Sequence, residues 1–353
     1  MLAIGLMSGT SLDGIDASLI ETDGEFYFKQ ISTHHFAYSI DLQKKLRNLL
    51  DDWSEWQSVE QELTISHAEC VKLLLKNSPK NVKQISAIAF HGQTIYHNAA
   101  RSLTWQIGNP HLLAQLTGIN VVSDFRRRDI ARKGQGAPLV PIFHKYLCNN
   151  DSKPVAILNI GGVANITFID ENELIAFDTG PGNALINDLM LKFYSQPYDD
   201  CGRIASQGNV VQEIVNKELE HEYFLKKPPK SLDRNYFIET LKHVTHLEPK
   251  DMIATITKIT VDSITLAVRN LPKLPSKVYV CGGGYKNSTL MNWLENKNLT
   301  KFVSISELNY DPEFIEAHAF GYIAVRFLKH LPSSFPTTTG CSKDTICGVL
   351  YEV

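Results

Sequence analysis

The stretch Leu2-Ala-Ile-Gly-Leu-Met-Ser-Gly-Thr-Ser-Leu-Asp-Gly-Ile-Asp-Ala-Ser-Leu-Ile-Glu-Thr22 decides the fold class. Leu2–Met7 is a short apolar run of the kind buried in a sheet, and Ile15–Thr22 reads as a second strand. Between them lies a turn rich in glycine and hydroxyl groups, with Asp13-Gly14 as its hairpin signal. The same unit returns later. Val155–Ile160 is an apolar strand, Gly161-Gly162-Val163-Ala164 a tight turn and Asn165–Ile169 a second strand. Two copies are too few for a solenoid and fit two related domains better. Helical spacing over Ser39–Leu75, Pro110–Gly118, Met252–Asn270, Ser288–Glu295 and Pro312–Leu331 alternates with apolar strands at Ile85–Phe90, Ile119–Ser123, Leu174–Phe177 and Val278–Val280. The expected class is α/β. A short closing strand is expected within Thr345–Tyr351.

The expected boundaries are residues 1–123 plus about 315–353 for the first domain and 124–314 for the second. The basic, glycine-rich stretch Asp124–Pro141 is the candidate crossing, and Lys226–Asn235 reads as an exposed loop. At 353 residues the chain is long enough for two domains. A formal charge of −3 gives no basic footprint for nucleic acid. The N-terminus lacks a signal-peptide pattern, and no apolar run reaches the ~18 residues of a membrane span. Cys70, Cys148, Cys201, Cys281, Cys341 and Cys347 form no C-x-x-C pair, which fits a reducing compartment.

Three glycine-rich turns each follow an apolar strand: Gly9–Gly14, Gly161–Gly162 and Gly282-Gly283-Gly284. Glycine lets backbone N–H groups approach an anion together. The Walker spacing and a convincing G-x-G-x-x-G unit are both missing, which sets aside P-loop and Rossmann readings. Asp178 stands where a strand gives way to Thr-Gly-Pro-Gly-Asn183. It suits a general base or a magnesium contact, or a turn cap through an Asx bond. Asp16 suits a metal-bound water or a solvent-facing strand position. Arg126, Arg127 and Arg128 offer bidentate donors to a carboxylate, or solvated partners for Asp124 and Asp129. On a continued strand, Arg126 and Arg128 would share a face. His91, at a strand end beside glycine, would meet a substrate hydroxyl or serve structurally. Glu316, in an apolar helix, is either buried for a purpose or part of an exposed stripe.

These motifs are specific enough to carry a resemblance. Gly5-Leu-Met-Ser-Gly-Thr-Ser-Leu-Asp-Gly-Ile-Asp-Ala17, His91-Gly-Gln-Thr-Ile95, Gln106-Ile-Gly-Asn-Pro110, Ser123-Asp-Phe-Arg-Arg-Arg-Asp129, Gly134-Gln-Gly-Ala-Pro-Leu139, Asn159-Ile-Gly-Gly-Val-Ala-Asn165, Phe177-Asp-Thr-Gly-Pro-Gly-Asn183 and Cys281-Gly-Gly-Gly284 resemble, in order, the signatures of the anhydro-N-acetylmuramic acid kinases. Lys230-Ser-Leu-Asp-Arg-Asn235 departs from the Ser-Thr-Gly-Arg-Glu run usual there.

The resemblance implies the two-domain, actin-like fold of sugar kinases and Hsp70, with ATP in a central cleft and closure on binding. It implies ATP and Mg2+ as cofactors. It also implies conversion of 1,6-anhydro-N-acetylmuramic acid, ATP and water to N-acetylmuramic acid 6-phosphate and ADP, in peptidoglycan recycling in the bacterial cytoplasm. A homodimer without nucleic-acid or membrane partners is expected. By residue, Asp178 would activate water. Gly9, Thr10, Ser11, Leu12, Asp13, Gly14, Ile15 and Asp16, with Gly161 and Gly162, would hold phosphates, and Asp16 would reach the metal through water. Gly282, Gly283 and Gly284 would flank adenosine. Arg126 or Arg128, Glu316 and His91 would meet the sugar.

Overall fold

The structure, a computed structural model, describes residues 1–9, 11–76, 78, 84–233 and 236–353. Thr10 of the first turn, and Arg234 and Asn235 of the expected loop, lie outside the described residues. The chain divides into two compact units, Met1–Tyr146 with Phe314–Val353, and Leu147–Glu313. The expected crossing at residue 124 is therefore displaced: 124–146 belongs to the first unit. It is not simply a loop, because Arg127–Ala131 and Pro141–Leu147 are helical.

In chain order the first unit contains β1 (Leu2–Met7), β2 (Gly14–Thr22), β3 (Phe28–Ala37), α1 (Ile40–Asn48), α2 (Trp56–Lys76), β4 (Ile85–Phe90), β5 (Gln93–Asn98), β6 (Leu103–Ile107), α3 (Pro110–Thr117), β7 (Val121–Ser123), α4 (Arg127–Ala131) and α5 (Pro141–Leu147). The second contains β8 (Val155–Ile160), β9 (Val163–Ile169), β10 (Leu174–Pro181), α6 (Ala184–Tyr194), α7 (Arg203–Gln207), α8 (Gln212–Leu219), α9 (Glu222–Leu225), α10 (Thr240–Val244), α11 (Pro249–Arg269), β11 (Lys277–Cys281), α12 (Ser288–Glu295) and β12 (Lys301–Ser304). The chain then returns to the first unit with α13 (Ile315–Leu328), α14 (Pro336–Thr339) and β13 (Val349–Tyr351).

The two sheets repeat one plan. In the first, β3-β2-β1 is an antiparallel meander, and β4 then β7 run parallel to β1. In the second, β10-β9-β8 is the meander and β11 then β12 run parallel to β8. β13 adds an antiparallel edge to the first sheet. These are the related α/β halves expected of the actin-like fold.

Alternation along β4 explains how the first unit buries both faces of its sheet. Ile88 and Phe90 join the core with Leu42, Leu63 and Leu113 of α1–α3, whereas Ala87 and Ala89 join Phe320, Ile323 and Ala324 of α13. Small residues on that second side let α13 come close: a Cβ on Gly5 would lie 1.8 Å from the Ala317 carbonyl oxygen. The helix expected over Pro110–Gly118 has caps at both ends. Asn109 caps α3 by accepting from the Leu112 amide ahead of Pro110, and Gly118 ends the helix at φ +68°. The 39–75 run is two helices, α1 and α2, and the hairpin β5–β6 and strand β3 are additions to the expected set.

Candidate functional site

In the first unit, β1 and β2 are joined by a turn in which the Leu12 amide donates to the Gly9 carbonyl at 3.3 Å. Leu12 carries a positive φ of +59° while being buried, a strained state for a branched side chain that clusters at functional turns. This corrects the expected Asp13-Gly14 turn: Gly14 opens β2, and what it requires is space, since a Cβ there would lie 2.5 Å from the Phe36 carbonyl oxygen. Ser11 Oγ donates to Asp13 Oδ1 at 2.6 Å, and Ile15 is fully buried. Asp16, on β2, is paired with His35 of β3 through Nδ1 at 2.7 Å. Gln93, which no local sequence signal marks out, also holds this turn. Its fully buried side chain donates to the Gly9 carbonyl at 3.0 Å and ties the turn to the His91-Gly92-Gln93 corner.

That corner leads to a second group in the same unit. Arg126 Nε donates to His91 Nε2 at 2.9 Å, and Arg126 Nη1 donates to the Gly136 carbonyl at 2.7 Å. An arginine Nε–H can only donate, so His91 Nε2 must be bare and His91 Nδ1–H donates to the Gly92 carbonyl at 2.8 Å. Burial first, and the Arg126 charge second, hold His91 well below the usual imidazole range. Burial also pushes the Glu316 carboxyl up, with Asp16 adding and Arg126 opposing. Asp16, His91, Arg126 and Glu316 thus share one electrostatic neighbourhood, drawn from β2, the end of β4, the start of α4 and α13. Arg128 does not join it: exposed, it donates to the Ile346 carbonyl at 3.1 Å. The strand ends at Ser123, Asp124 takes φ +56°, and the chain turns into α4, so Arg126 and Arg128 lack the common strand face expected of them.

In the second unit, Asp178 lies within β10, which continues to Pro181 with a register shift between Asp178 and Gly180. The carboxylate is buried and accepts from the Leu232 amide at Oδ2, 2.7 Å. Its backbone is held twice more: the amide donates to the Lys230 carbonyl at 2.9 Å, and the Tyr223 hydroxyl donates to the Asp178 carbonyl at 2.6 Å. The stretch read as an exposed loop therefore bears directly on Asp178. Within it Lys230 donates to the Tyr223 carbonyl and lies over the Tyr223 ring, and burial lowers its ammonium to about 8.

The two glycine turns of this unit are linked by Asn183, also unforeseen. Its amide donates to the Gly161 carbonyl at 2.8 Å and its side chain to the Ile160 carbonyl at 3.0 Å, while a Cβ on Gly283 would meet only Asn183 Nδ2, at 3.9 Å. The Gly162 carbonyl accepts from the Gly182 and Ala184 amides, which seats the turn on the start of α6.

Why each glycine is a glycine separates two classes. Gly282 has φ +78° and a Cβ there would meet Asn159 Oδ1 at 2.2 Å; a Cβ on Gly284 would meet Ile160 at 2.3 Å. The protein's own packing demands both. At Gly9, Gly161 and Gly283 the φ is not positive, and a Cβ would come no closer than 3.5 Å to the rest of the chain. Each of the three glycine turns has at least one such residue. A bare Cα that neither backbone nor packing requires is what the close approach of an external group calls for.

Among the described residues, no cluster of three or more His, Cys, Asp or Glu side chains forms a metal cage, and no helix is long and apolar enough to cross a membrane. The whole chain, residues 1–353, matches the family model for anhydro-N-acetylmuramic acid kinase. It is 42% identical to an anhydro-N-acetylmuramic acid kinase of Rhizorhabdus wittichii, covering 100% of this chain and 99% of that protein. It is 43% identical to one of Gluconobacter oxydans, covering 98% of each, and 42% identical to one of Zymomonas mobilis, covering 100% of each. Among solved structures, component A of the (R)-2-hydroxyglutaryl-CoA dehydratase of Acidaminococcus fermentans aligns at 12% identity with a TM-score of 0.49, over 92% of this chain and 98% of that one.

Proposed function

This chain belongs to the anhydro-N-acetylmuramic acid kinase family and is a kinase that uses ATP, and from that premise we propose how its own residues carry the reaction. The substrate is 1,6-anhydro-N-acetylmuramic acid. Asp178 takes a proton from a water molecule, whose oxygen bonds to the anomeric carbon as the bond from that carbon to O6 breaks. The released O6 bonds to the γ-phosphorus as the bond to the ADP oxygen breaks, giving N-acetylmuramic acid 6-phosphate and ADP. The Leu232 amide on Oδ2 holds the Asp178 carboxylate in a set direction.

The observation that carries the nucleotide part of this reading is the set of three unconstrained glycines, Gly9, Gly161 and Gly283. The segment Gly9 to Asp16, with Gly161 and Gly162, meets phosphates through main-chain amides, the Leu12 amide excepted because the Gly9 carbonyl takes it, and Gly282 to Gly284 meet the nucleoside end. Mg2+ comes with the phosphates, where it would spread the charge of the transferring group. Asp16, half-buried and steadied by His35, is the carboxylate suited to reach it through water. Arg126 meets the lactyl carboxylate or orients the sugar, and Glu316 accepts from or donates to sugar hydroxyls. His91 acts by holding Arg126. A homodimer and a bacterial cytoplasmic setting within peptidoglycan recycling are part of the same proposal.

The test is ADP release together with product mass, with and without the anhydrosugar. The expected product gains both water and phosphate. A product gaining phosphate alone would indicate a conventional sugar kinase, and ring opening without ATP would indicate a hydrolase; either overturns the reading.

A further inference from the structure

Asp129 is a fully buried carboxylate that the reaction above does not use. Its donors are uncharged: Ser334 Oγ and Thr339 Oγ1 each reach Oδ1 at 2.6 Å, and the Gly136 amide reaches Oδ2 at 2.7 Å. The packing around it is tight, because a Cβ on Gly134 would lie 2.1 Å from Oδ2. Gly136, at φ +73°, is held on both sides. Its N–H goes to Asp129, and its C=O takes Arg126 Nη1 at 2.7 Å. On the other edge of the guanidinium, Nε is fixed by His91. All of these residues belong to the first unit.

We infer that Asp129 is a positioning residue for Arg126: by seating the Gly136 peptide, it fixes the guanidinium for the sugar. This rests on the reading that Arg126 meets the sugar. Arginine is selected at such sites because a planar fork delivers two hydrogen bonds at a set angle, and its value is lost when the fork can swing. A chain of two hydrogen bonds through one glycine residue transmits the position of a buried carboxylate to that fork. The alternative is a purely architectural role, in which Asp129 anchors the C-terminal segment through Ser334 and Thr339.

Asp129→Asn and Asp129→Ala separate the two. An asparagine can turn its oxygen to the Gly136 amide and its NH2 to the two hydroxyls. Those hydroxyls have other acceptors in reach: the Phe335 carbonyl for Thr339, at 3.4 Å, and Cys347 Sγ for Ser334, at 3.4 Å. Asp129→Asn therefore keeps the seat, and its KM for the anhydrosugar stays within about threefold of the parent. Asp129→Ala raises that KM about tenfold or more, while the KM for ATP stays within about twofold. If the alanine chain does not fold, Asp129→Ser is measured in its place: its hydroxyl falls one bond short of both carboxylate oxygens, so the Gly136 bond is lost with less packing removed, and the double variant below controls for the loss of the Ser334 and Thr339 contacts. The double variant Ser334→Ala/Thr339→Val cuts the anchor and leaves the Gly136 bond, so its sugar KM is unchanged.

Equal changes in both KM values, or a rise in sugar KM in the double variant as large as in Asp129→Ala, overturns the inference. Arg126→Lys is measured alongside. If it leaves the sugar KM unchanged, the assignment of Arg126 to the sugar fails; if it raises that KM while Asp129→Ala does not, the role of Asp129 fails alone.

Discussion

Substituting alanine at two adjacent glycines should produce opposite phenotypes. At Gly282 the backbone is left-handed, φ +78°, and the new methyl would lie 2.2 Å from Asn159 Oδ1 and 2.8 Å from the Ile160 carbonyl oxygen. A left-handed alanine costs ~1–2 kcal/mol, and overpacking adds ~1–3 kcal/mol. At ~2–4 °C per kcal/mol for a unit of roughly this size, the melting temperature of Gly282→Ala should fall by about 4–20 °C. At Gly283 the backbone is not left-handed, and the nearest atom is Asn183 Nδ2 at 3.9 Å, an ordinary contact. Restricting the unfolded chain then gives a neutral change or a gain of ~0.4–1 kcal/mol. The methyl fills the space proposed for the nucleotide, so the KM for ATP should rise about tenfold or more, ~1.4 kcal/mol, with the sugar KM little changed. Calorimetry and initial rates on the two variants, with Gly9→Ala and Gly161→Ala as companions, check this. A Gly283→Ala enzyme with the parent's KM for ATP, or one destabilised as much as Gly282→Ala, would refute the link between unconstrained glycines and the ligand.

Other outcomes follow from single sites. Asp178→Asn keeps an oxygen for the Leu232 amide, so the chain should fold with the parent's melting temperature yet release no ADP in the presence of the anhydrosugar; normal turnover would discard Asp178 as the base. Burial raises the Glu316 carboxyl above its unfolded value, so its favourable contribution is complete below about pH 4.5 and is lost as pH rises through the folded value. Glu316→Gln should therefore gain in melting temperature over the parent at pH 8, with the difference shrinking toward pH 4.5; a constant difference would count against this. Gly5→Ala drives a methyl into the α13 backbone, 1.8 Å from the Ala317 carbonyl oxygen. It should cost ~3 kcal/mol or more, visible as a lower denaturation midpoint, while Gly9→Ala, four residues on, shows none.

Both strand-turn-strand units could be read from period and composition because those are local properties. Leu2–Met7 and Val155–Ile160 are nearly continuous apolar runs, and their turns carry glycine. The strands that escaped are the ones without such a signature. β3, Phe-Lys-Gln-Ile-Ser-Thr-His-His-Phe-Ala, lies at the sheet edge with most residues partly exposed, so no buried face imposes a pattern on it. The crossing at 124–141 was misplaced for a related reason. A basic, glycine-rich stretch looks solvated in sequence, but Asp129 and Phe125 are buried, and Gly134 and Gly136 are there to pack against Asp129 and to turn the chain.

The site shows the same limit at the level of single carboxylates. Asp178 and Glu316 stand in or beside apolar sequence and Asp129 follows three arginines, and none of these settings reveals which groups each carboxylate meets. What separates them is which donors the fold brings from elsewhere: residues 205 and 210 positions later for Asp129, 54 for Asp178, and the charges of Arg126 and Asp16 for Glu316. A carboxylate saturated by an amide and two hydroxyls is suited to hold a neighbour in place. One held by a backbone amide in a strand next to a glycine turn is suited to direct a reaction, and one pushed up by burial beside an arginine is suited to exchange hydrogen bonds with hydroxyls. Glycines differ from carboxylates in one respect. Sequence marks every glycine alike, but whether the chain itself needs each one is decided by its φ and by the atoms a Cβ would meet.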